Sequence, residues 1–301
     1  VDVLAPGWSL PVVARMPEVR EGIAADTGHG ELGLGKRREL GRKLKGRYDR
    51  AIILPRSLKS ALVPWFARIP NRTGFRGESR YGLINDMRPF DADVLNQTVK
   101  RYVALGTDSG EPLPECPEPR LDVSPDKQAA AIERLGLATE RPVIAFMPGA
   151  EYGPAKCWPI EHFTALARLL DEQGYAVWVL GSTKDNPAGE AIAAGSEALN
   201  VCGQTSLEDV IDLLGYADQA VSNDSGLMHV AAAVGTFVHA IYGSSSPRFT
   251  PPLTARRQIH WLELDCSPCF ERECPLRHLN CLRNIEPTAL NAAIAAAAAG
   301  D

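Results

Sequence analysis

From Pro142 onward the sequence alternates short apolar runs with helical patterns, and this alternation constrains the fold more than any other feature. Pro142–Met147 (PVIAFM), Tyr175–Leu180 (YAVWVL, closed by Gly181), Leu199–Gly203, Gln219–Asn223 and Phe237–Tyr242 read as strands. Pro159–Gln173 reads as a helix, with Pro159 near its first position and Gly174 just past its end. Ser206–Tyr216 opens with Ser-x-x-Asp, a loose capping box, and Leu227–Val234 is a further helix. Strand, helix and strand joined by short connections imply right-handed parallel crossovers. The result is a doubly wound α/β domain, which binds ligands at the carboxyl ends of its strands.

The first half repeats the theme less clearly. Val1–Pro6 (VDVLAP) and Arg50–Pro55 (RAIILP) read as short buried strands, with a basic helical stretch at Arg37–Arg47 between them. Ser57–Ile69 reads as a helix with Ser57 near its cap and a kink at Pro64, and Asp93–Leu105 is another helical stretch. Four prolines in Thr107–Val123 make an extended linker, followed by a helix at Pro125–Leu135 with Gly136 past its end. The boundary falls between Gly106 and Arg141, giving domains 1–122 and 123–301. The alanine-rich Ala289–Ala299 reads as a closing helix.

Bulk properties exclude several classes. A net charge of −5 offers no global field for nucleic acid or anionic membrane. No apolar run is long enough to span a bilayer, and VDVLAPGWSL lacks the basic start and cleavage site of a secretory signal. Seven cysteines, four of them within Cys266–Cys281, suit a reducing compartment and a local use. The expected location is the cytoplasm, with transient contact at the inner membrane face.

Three stretches carry chemistry. Ser222–His229 (SNDSGLMH) is a strand end, a polar turn and a helix start. Ser225 and Gly226 there either cap the helix in the ordinary way or expose N–H groups to a phosphate. Pro148–Pro159 (PGAEYGPAKCWP) lies between a strand and a helix, where Lys156 is either a solvated lysine or a point charge for diphosphate. Asp185, in GSTKD beyond a strand, is either a turn residue or an acceptor for ribose hydroxyls.

NDSGLMHVAAA, followed by a strand and YGSSSPRFTPPL, resembles the nucleotide-sugar motif of the heptosyltransferases of glycosyltransferase family nine. PGAEYGPAKCWP is similar to a motif of one branch of that family, and Leu54–Asp86 (LPRSLKSALVPWFARIPNRTGFRGESRYGLIND) resembles the same branch. The resemblance implies a GT-B fold, two doubly wound Rossmann-like domains facing a cleft. It implies ADP-heptose as donor, with Lys156, Asp224, Ser225, Gly226, Leu227 and His229 around the diphosphate and sugar. Asp185 then meets ribose and Thr205, in GQTSLEDV, passes the adenine. The implied acceptor is heptosyl-Kdo₂-lipid A, whose phosphates and carboxylates need a local basic rim. Lys59, Arg76 and Arg80 are expected to supply it, with Arg72 nearby. The family begins with a strand and a Gly-Asp loop whose Asp is the general base. Val1–Pro6 corresponds to the family's second strand, so the first domain is expected to lack its first strand and this base, and the chain to show little or no heptosyl transfer.

Cys266, Cys269, Cys274 and Cys281 form C-x2-C-x4-C-x6-C with His278 inside. The expectations are a shared structural zinc, an iron–sulfur cluster, or free thiols. The implied reaction is inverting, metal-independent glycosyl transfer. The rivals are a GT-B enzyme using another nucleotide sugar, a catalytically silent nucleotide- or glycan-binding fragment, and a zinc-binding interaction module.

Overall fold

The computed structural model describes residues 1–25 and 31–300, which form two compact units. The first comprises Val1–Leu10, Val19–Pro117 and Arg248–Thr250; the second comprises Pro11–Glu18, Glu118–Pro247 and Pro251–Asp301.

In chain order the first half contains β1 (Asp2–Ala5), α1 (Leu10–Val13), β2 (Glu21–Ala24), α2 (Leu34–Lys43), β3 (Arg50–Ile53), α3 (Leu58–Phe66), β4 (Asn71–Phe75), β5 (Asp86–Arg88) and α4 (Thr98–Gly106). Its strands pair as two parallel sheets, β1-β2 and β3-β4-β5. The sequence pattern missed β2, β4 and β5, because each is short and polar. Central β4 nevertheless buries Thr73, Gly74 and Phe75, and its Thr73 hydroxyl donates to Asp86 of β5 at 2.8 Å. Ser57 does stand at the N-cap of α3 but makes no side-chain cap bond. The Glu78 carboxylate accepts from Leu58 N–H instead, at 2.8 Å. Pro64 lies in the last turn, and the helix stops two residues later at Phe66.

The second unit contains α5 (Pro125–Leu135), β6 (Val143–Met147), α6 (Ile160–Glu172), β7 (Ala176–Val179), α7 (Asn186–Ala194), β8 (Leu199–Asn200), α8 (Leu207–Tyr216), β9 (Gln219–Asn223), α9 (Gly226–Ala233), β10 (Phe237–Ile241), β11 (Arg257–His260), α10 (Asn280–Arg283) and α11 (Pro287–Gly300). Six parallel strands run in the order β11-β10-β9-β6-β7-β8. Read from the other edge this is the third, second, first, fourth, fifth and sixth strand of the unit, the order of a dinucleotide-binding sheet. Every residue of β6, β7 and β9 is buried, as a sheet covered on both faces demands. One face packs Trp178, Ile211, Leu214 and Met228; the other packs Trp158, Phe163, Leu166, Leu282 and Ile294.

Two polar devices tie peripheral segments to this core. Arg15 makes a bidentate pair with the fully buried Asp212 at 2.8 and 2.6 Å, and Asp212 also accepts from Ser124 N–H. Under α11, Gln219 Nε2 donates to Ile294 O at 3.0 Å while its Oε1 faces His239 Nε2 at 2.8 Å. His239 Nδ1 then faces His260 Nε2 at 3.2 Å, so the chain of donors runs from His260 to His239 to Gln219 to the helix.

Candidate functional site

The strand order reverses between β6 and β9, whose chain continuations leave in opposite directions. The crevice beyond their carboxyl ends is the topological switch point where such sheets bind ligands. Two segments open from it, the loop after β6 that carries Lys156 and the turn after β9 that begins α9.

Asn223 sets the shape of that loop. Wholly buried at the end of β9, it donates from Nδ2 to Pro148 O at 2.6 Å and accepts from Trp158 N–H at 2.9 Å, stitching both ends of the loop to its neighbour. Trp158 is fully buried and donates from Nε1 to Ile285 O at 2.9 Å. Gly153 has φ +154, and a Cβ there would stand 2.6 Å from Arg272 O; only glycine admits that carbonyl. Neither Asn223 nor Trp158 stood out in the sequence, although both lie inside quoted motifs.

At the tip of the crevice Lys156 Nζ stands 2.5 Å from Asp224 Oδ2, with side chains 19% and 6% exposed. The lysine is therefore neither solvated nor a bare charge. Its ammonium also lies 5.4 Å from the Tyr152 ring centroid. His229, one turn into α9, is half-buried in the same field. Burial holds its imidazole below the usual histidine range, with Lys156 acting in the same direction and Asp224 opposing both.

Ser225 is the extended N-cap residue of α9 but makes no side-chain cap bond; its hydroxyl lies 3.3 Å from Ser222 Oγ. Gly226 is exposed, and a Cβ built on it meets nothing within 4 Å. The helix start is thus open on the side where a phosphate would approach. Leu227 is half-buried and packs against the core.

Asp185 is committed more locally. Its Oδ2 accepts from both Ser182 N–H and Ser182 Oγ at 2.8 Å, closing a capping box. A Cβ at Gly149 would meet its Oδ1 at 2.2 Å, so the carboxylate sits against the loop after β6. Thr205 Oγ1 is buried without a hydrogen-bond partner among the described residues, a hydroxyl positioned for an outside acceptor or donor.

The basic residues of the first unit divide. Lys59 is half-buried and Arg76 exposed, the latter 6.0 Å from the Tyr81 ring centroid. Arg80 departs from the reading of it as a free guanidinium fork. It is 1% exposed; Nη1 donates to Pro55 O and Nη2 to Phe75 O, both at 2.6 Å, so it organises loop carbonyls. Arg72 likewise donates to Leu83 O at 2.7 Å and Ile69 O at 2.5 Å. A cavity of about 200 Å³ in this unit, bordered by Phe75, Arg88, Asp91 and Leu113, is lined by none of Lys59, Arg76 and Arg80.

Cys266, Cys269, Cys274 and Cys281 are free thiols that border one small cavity. Their side chains as they stand do not converge on one point: among the described residues no three His, Cys, Asp or Glu form a metal-holding group. No helix of the described residues is long and apolar enough to cross a membrane.

The sequence and the fold match known proteins. The family model of glycosyltransferase family 9 (heptosyltransferase) matches residues 37–280. The chain is 46% identical over 272 residues to lipopolysaccharide heptosyltransferase 2 of Escherichia coli K12, covering 86% of this chain and 78% of that protein. It is 46% identical over 274 residues to lipooligosaccharide heptosyltransferase 2 of Haemophilus influenzae, covering 86% and 79%. Superposition on the structure of E. coli ADP-heptose LPS heptosyltransferase II gives a TM-score of 0.85 at 41% identity, over 98% of this chain and 88% of that one. E. coli heptosyltransferase WaaC with ADP shares the fold, at a TM-score of 0.68 and 19% identity over 98% and 89%. A dinucleotide-type sheet with a lysine–aspartate pair at its switch point, on a chain this close to those enzymes, is a glycosyltransferase of GT-B fold, and it belongs to glycosyltransferase family 9, the heptosyltransferases.

Proposed function

We propose that the chain transfers L-glycero-D-manno-heptose from ADP-heptose to the first heptose of heptosyl-Kdo₂-lipid A, with inversion, at the cytoplasmic face of the inner membrane. The observation that carries the donor half is the Lys156–Asp224 pair beside the open start of α9, at the β6/β9 switch point. Charge leaving with ADP gathers on the diphosphate. A fixed ammonium and the N–H groups at Ser225–Gly226 meet it with no reorganisation at the moment of bond breaking. Asp224 holds Lys156 in place before the donor arrives, and the half-buried His229 lies within the same field. The unpartnered Thr205 hydroxyl belongs at the nucleoside end. Asp185 receives ribose through the edge of the carboxylate not used by Ser182.

On the acceptor side Lys59 and Arg76 supply charge to phosphates and carboxylates. Arg80 acts through the backbone it holds, not by touching the acceptor.

The test is transfer of radiolabelled heptose to heptosyl-Kdo₂-lipid A, run in parallel with calorimetry of ADP, UDP and GDP. Tight binding of ADP alone, weakened by Lys156→Met, is the expected result. Preference for UDP or GDP would overturn the donor assignment, and transfer to Kdo₂-lipid A lacking heptose would overturn the acceptor.

A further inference from the structure

Arg88 is a buried cation whose donors are mostly unused. It ends β5 with its side chain 8% exposed. Its Nε donates to Asp86 Oδ1 at 2.9 Å, and the other Asp86 oxygen accepts from the Thr73 hydroxyl at 2.8 Å. A guanidinium carries five donors. The four on Nη1 and Nη2 meet no acceptor among the described residues. Burying such a group with one partner is costly unless further acceptors reach it. Arg80 shows the contrast, because both of its Nη groups donate to backbone oxygens.

What Arg88 borders instead is the cavity of about 200 Å³ in the first unit. That is space for roughly seven waters, short of the roughly 300 Å³ at which pockets for drug-sized ligands begin. A single monosaccharide-sized molecule fills it. Beside Arg88 the cavity is bounded by the buried Phe75 and Leu95. At its rim stand Asp91, Asp108 and Glu111, all exposed. Asp91 Oδ1 already accepts from the Asp93 and Val94 N–H groups at 2.9 and 3.3 Å, and Asp108 lies 3.5 Å from Arg50. Those two offer spare acceptor edges more than free charge, while the Glu111 side chain has no partner among the described residues.

Each layer selects. The two Nη groups form a fork that a carboxylate or a phosphate matches bidentately. The rim carboxylates only accept, so the outer end of a ligand must bring hydrogen-bond donors. They also repel excess negative charge, which disfavours a phosphate at about −1.5 to −2 against a singly charged carboxylate. The exposed Ser109 hydroxyl beside them both donates and accepts. That suits ligand hydroxyls better than an ammonium, which only donates.

The geometry points to this cavity as a binding site for a sugar acid, a small polyhydroxy monocarboxylate. Its carboxylate lies on the Arg88 fork and its hydroxyls meet the acidic rim. The Kdo residues of the proposed acceptor belong to this class. Naming them as the occupant rests on the proposed function; the site itself does not.

The experiment titrates the intact protein with free Kdo, mannose, glycine and inorganic phosphate, by calorimetry and ligand-observed NMR. Kdo should bind. Mannose lacks the carboxylate, glycine lacks the hydroxyls and phosphate carries the extra charge, so each should bind about tenfold more weakly or worse. Arg88→Lys keeps a cation beside Asp86 but loses the fork, and should weaken Kdo about tenfold. Val94→Trp, at a wall position 50% exposed, should block Kdo with an unchanged melting temperature, and it carries the test if Arg88→Lys fails to fold. Equal binding of mannose and Kdo, or a preference for phosphate or glycine, would overturn the ligand class. Kdo affinity unaltered by Val94→Trp would overturn the location. In the transfer assay, an acceptor KM raised by Val94→Trp with the ADP-heptose KM unchanged identifies the acceptor's own Kdo as occupant. An unchanged acceptor KM beside lost Kdo binding identifies a free sugar acid. Absence of heptose transfer by the unmutated protein would defeat the proposed function and leave the titrations standing.

Discussion

Replacing Lys156 with methionine separates its two roles. With its side chain 6% exposed, Asp224 has the 2.5 Å contact to Lys156 as its compensation for lost water. Removing the ammonium leaves a buried carboxylate unpaired, at a cost of about 3–5 kcal/mol. In a unit of this size that lowers the melting temperature by roughly 10 °C. Asp224→Asn costs less, about 1–2 kcal/mol, because Lys156 is 19% exposed and keeps the Tyr152 ring. The double variant Lys156→Met/Asp224→Asn has no orphaned charge, so the losses fall short of adding by about 2–3 kcal/mol. Urea unfolding read through the buried Trp158 and Trp178 measures this cycle. Affinity for ADP splits the pair by sign. Lys156→Met weakens ADP by about 1–3 kcal/mol, whereas Asp224→Asn tightens it by removing a negative neighbour and freeing the ammonium. Additive stability losses would show that the pair is not coupled. ADP affinities moving in the same direction in both single variants would show that the diphosphate does not compete with Asp224 for Lys156.

Three further outcomes follow from the same geometry. Gly226→Ala, with open space at its Cβ, should leave the ligand-free protein as stable or up to about 1 kcal/mol more so, yet weaken ADP roughly tenfold; an unchanged calorimetric affinity places the diphosphate elsewhere. Arg80→Met strips donors from Pro55 O and Phe75 O and should cost about 3 kcal/mol by thermal melting without altering ADP affinity; a fully stable variant with a raised acceptor KM would restore Arg80 to the acceptor site. Burial holds the imidazoles of His239 and His260 at about 3 and about 4, against 6.5 for the free group. The unfolded chain therefore takes up protons first as pH falls. Stability is complete above about pH 6.5 and drops toward pH 4 by up to about 1.4 kcal/mol per pH unit for each ring. Urea midpoints that stay flat from pH 6.5 to 4.5 would refute it.

How much of this the sequence carried depended on whether a signal was local. The helix over Pro125–Leu135 and the strand over Gln219–Asn223 were legible to the residue. The first has proline in its opening turn and Gly136 with φ +61 at its end; the second is an unbroken buried run. Helix α7 went unread because NPAGEAIAA buries only Gly189 and Ile192 and shows almost no apolar stripe. Strand β11 went unread because RQIH, at the sheet edge, exposes Arg257 and Gln258 and half-buries the rest. Short polar strands such as β4 and β5 exist because of their neighbours, and no window of sequence contains those neighbours.

The same division runs through the site. Lys156 and the α9 start were legible as phosphate-suited because each sits just after a buried strand, and strand ends point to one rim of a parallel sheet. Their relation to each other was not legible, since 68 residues separate Lys156 from Asp224. Arg80 shows the converse. A cluster of basic residues near polar turns reads as a binding rim. Yet a guanidinium with five donors serves equally well to gather carbonyls where a loop turns inward. The sequence states that a cation is present, and burial decides its use: at 1% exposure Arg80 turns its Nη1 on Pro55, Ser57 and Ser60 and its Nη2 on Phe75, while its Nε has no partner among the described residues. Exposed Arg76 has not been withdrawn in this way, so within this cluster Arg76 and the half-buried Lys59 are the cations the proposed acceptor role leaves available.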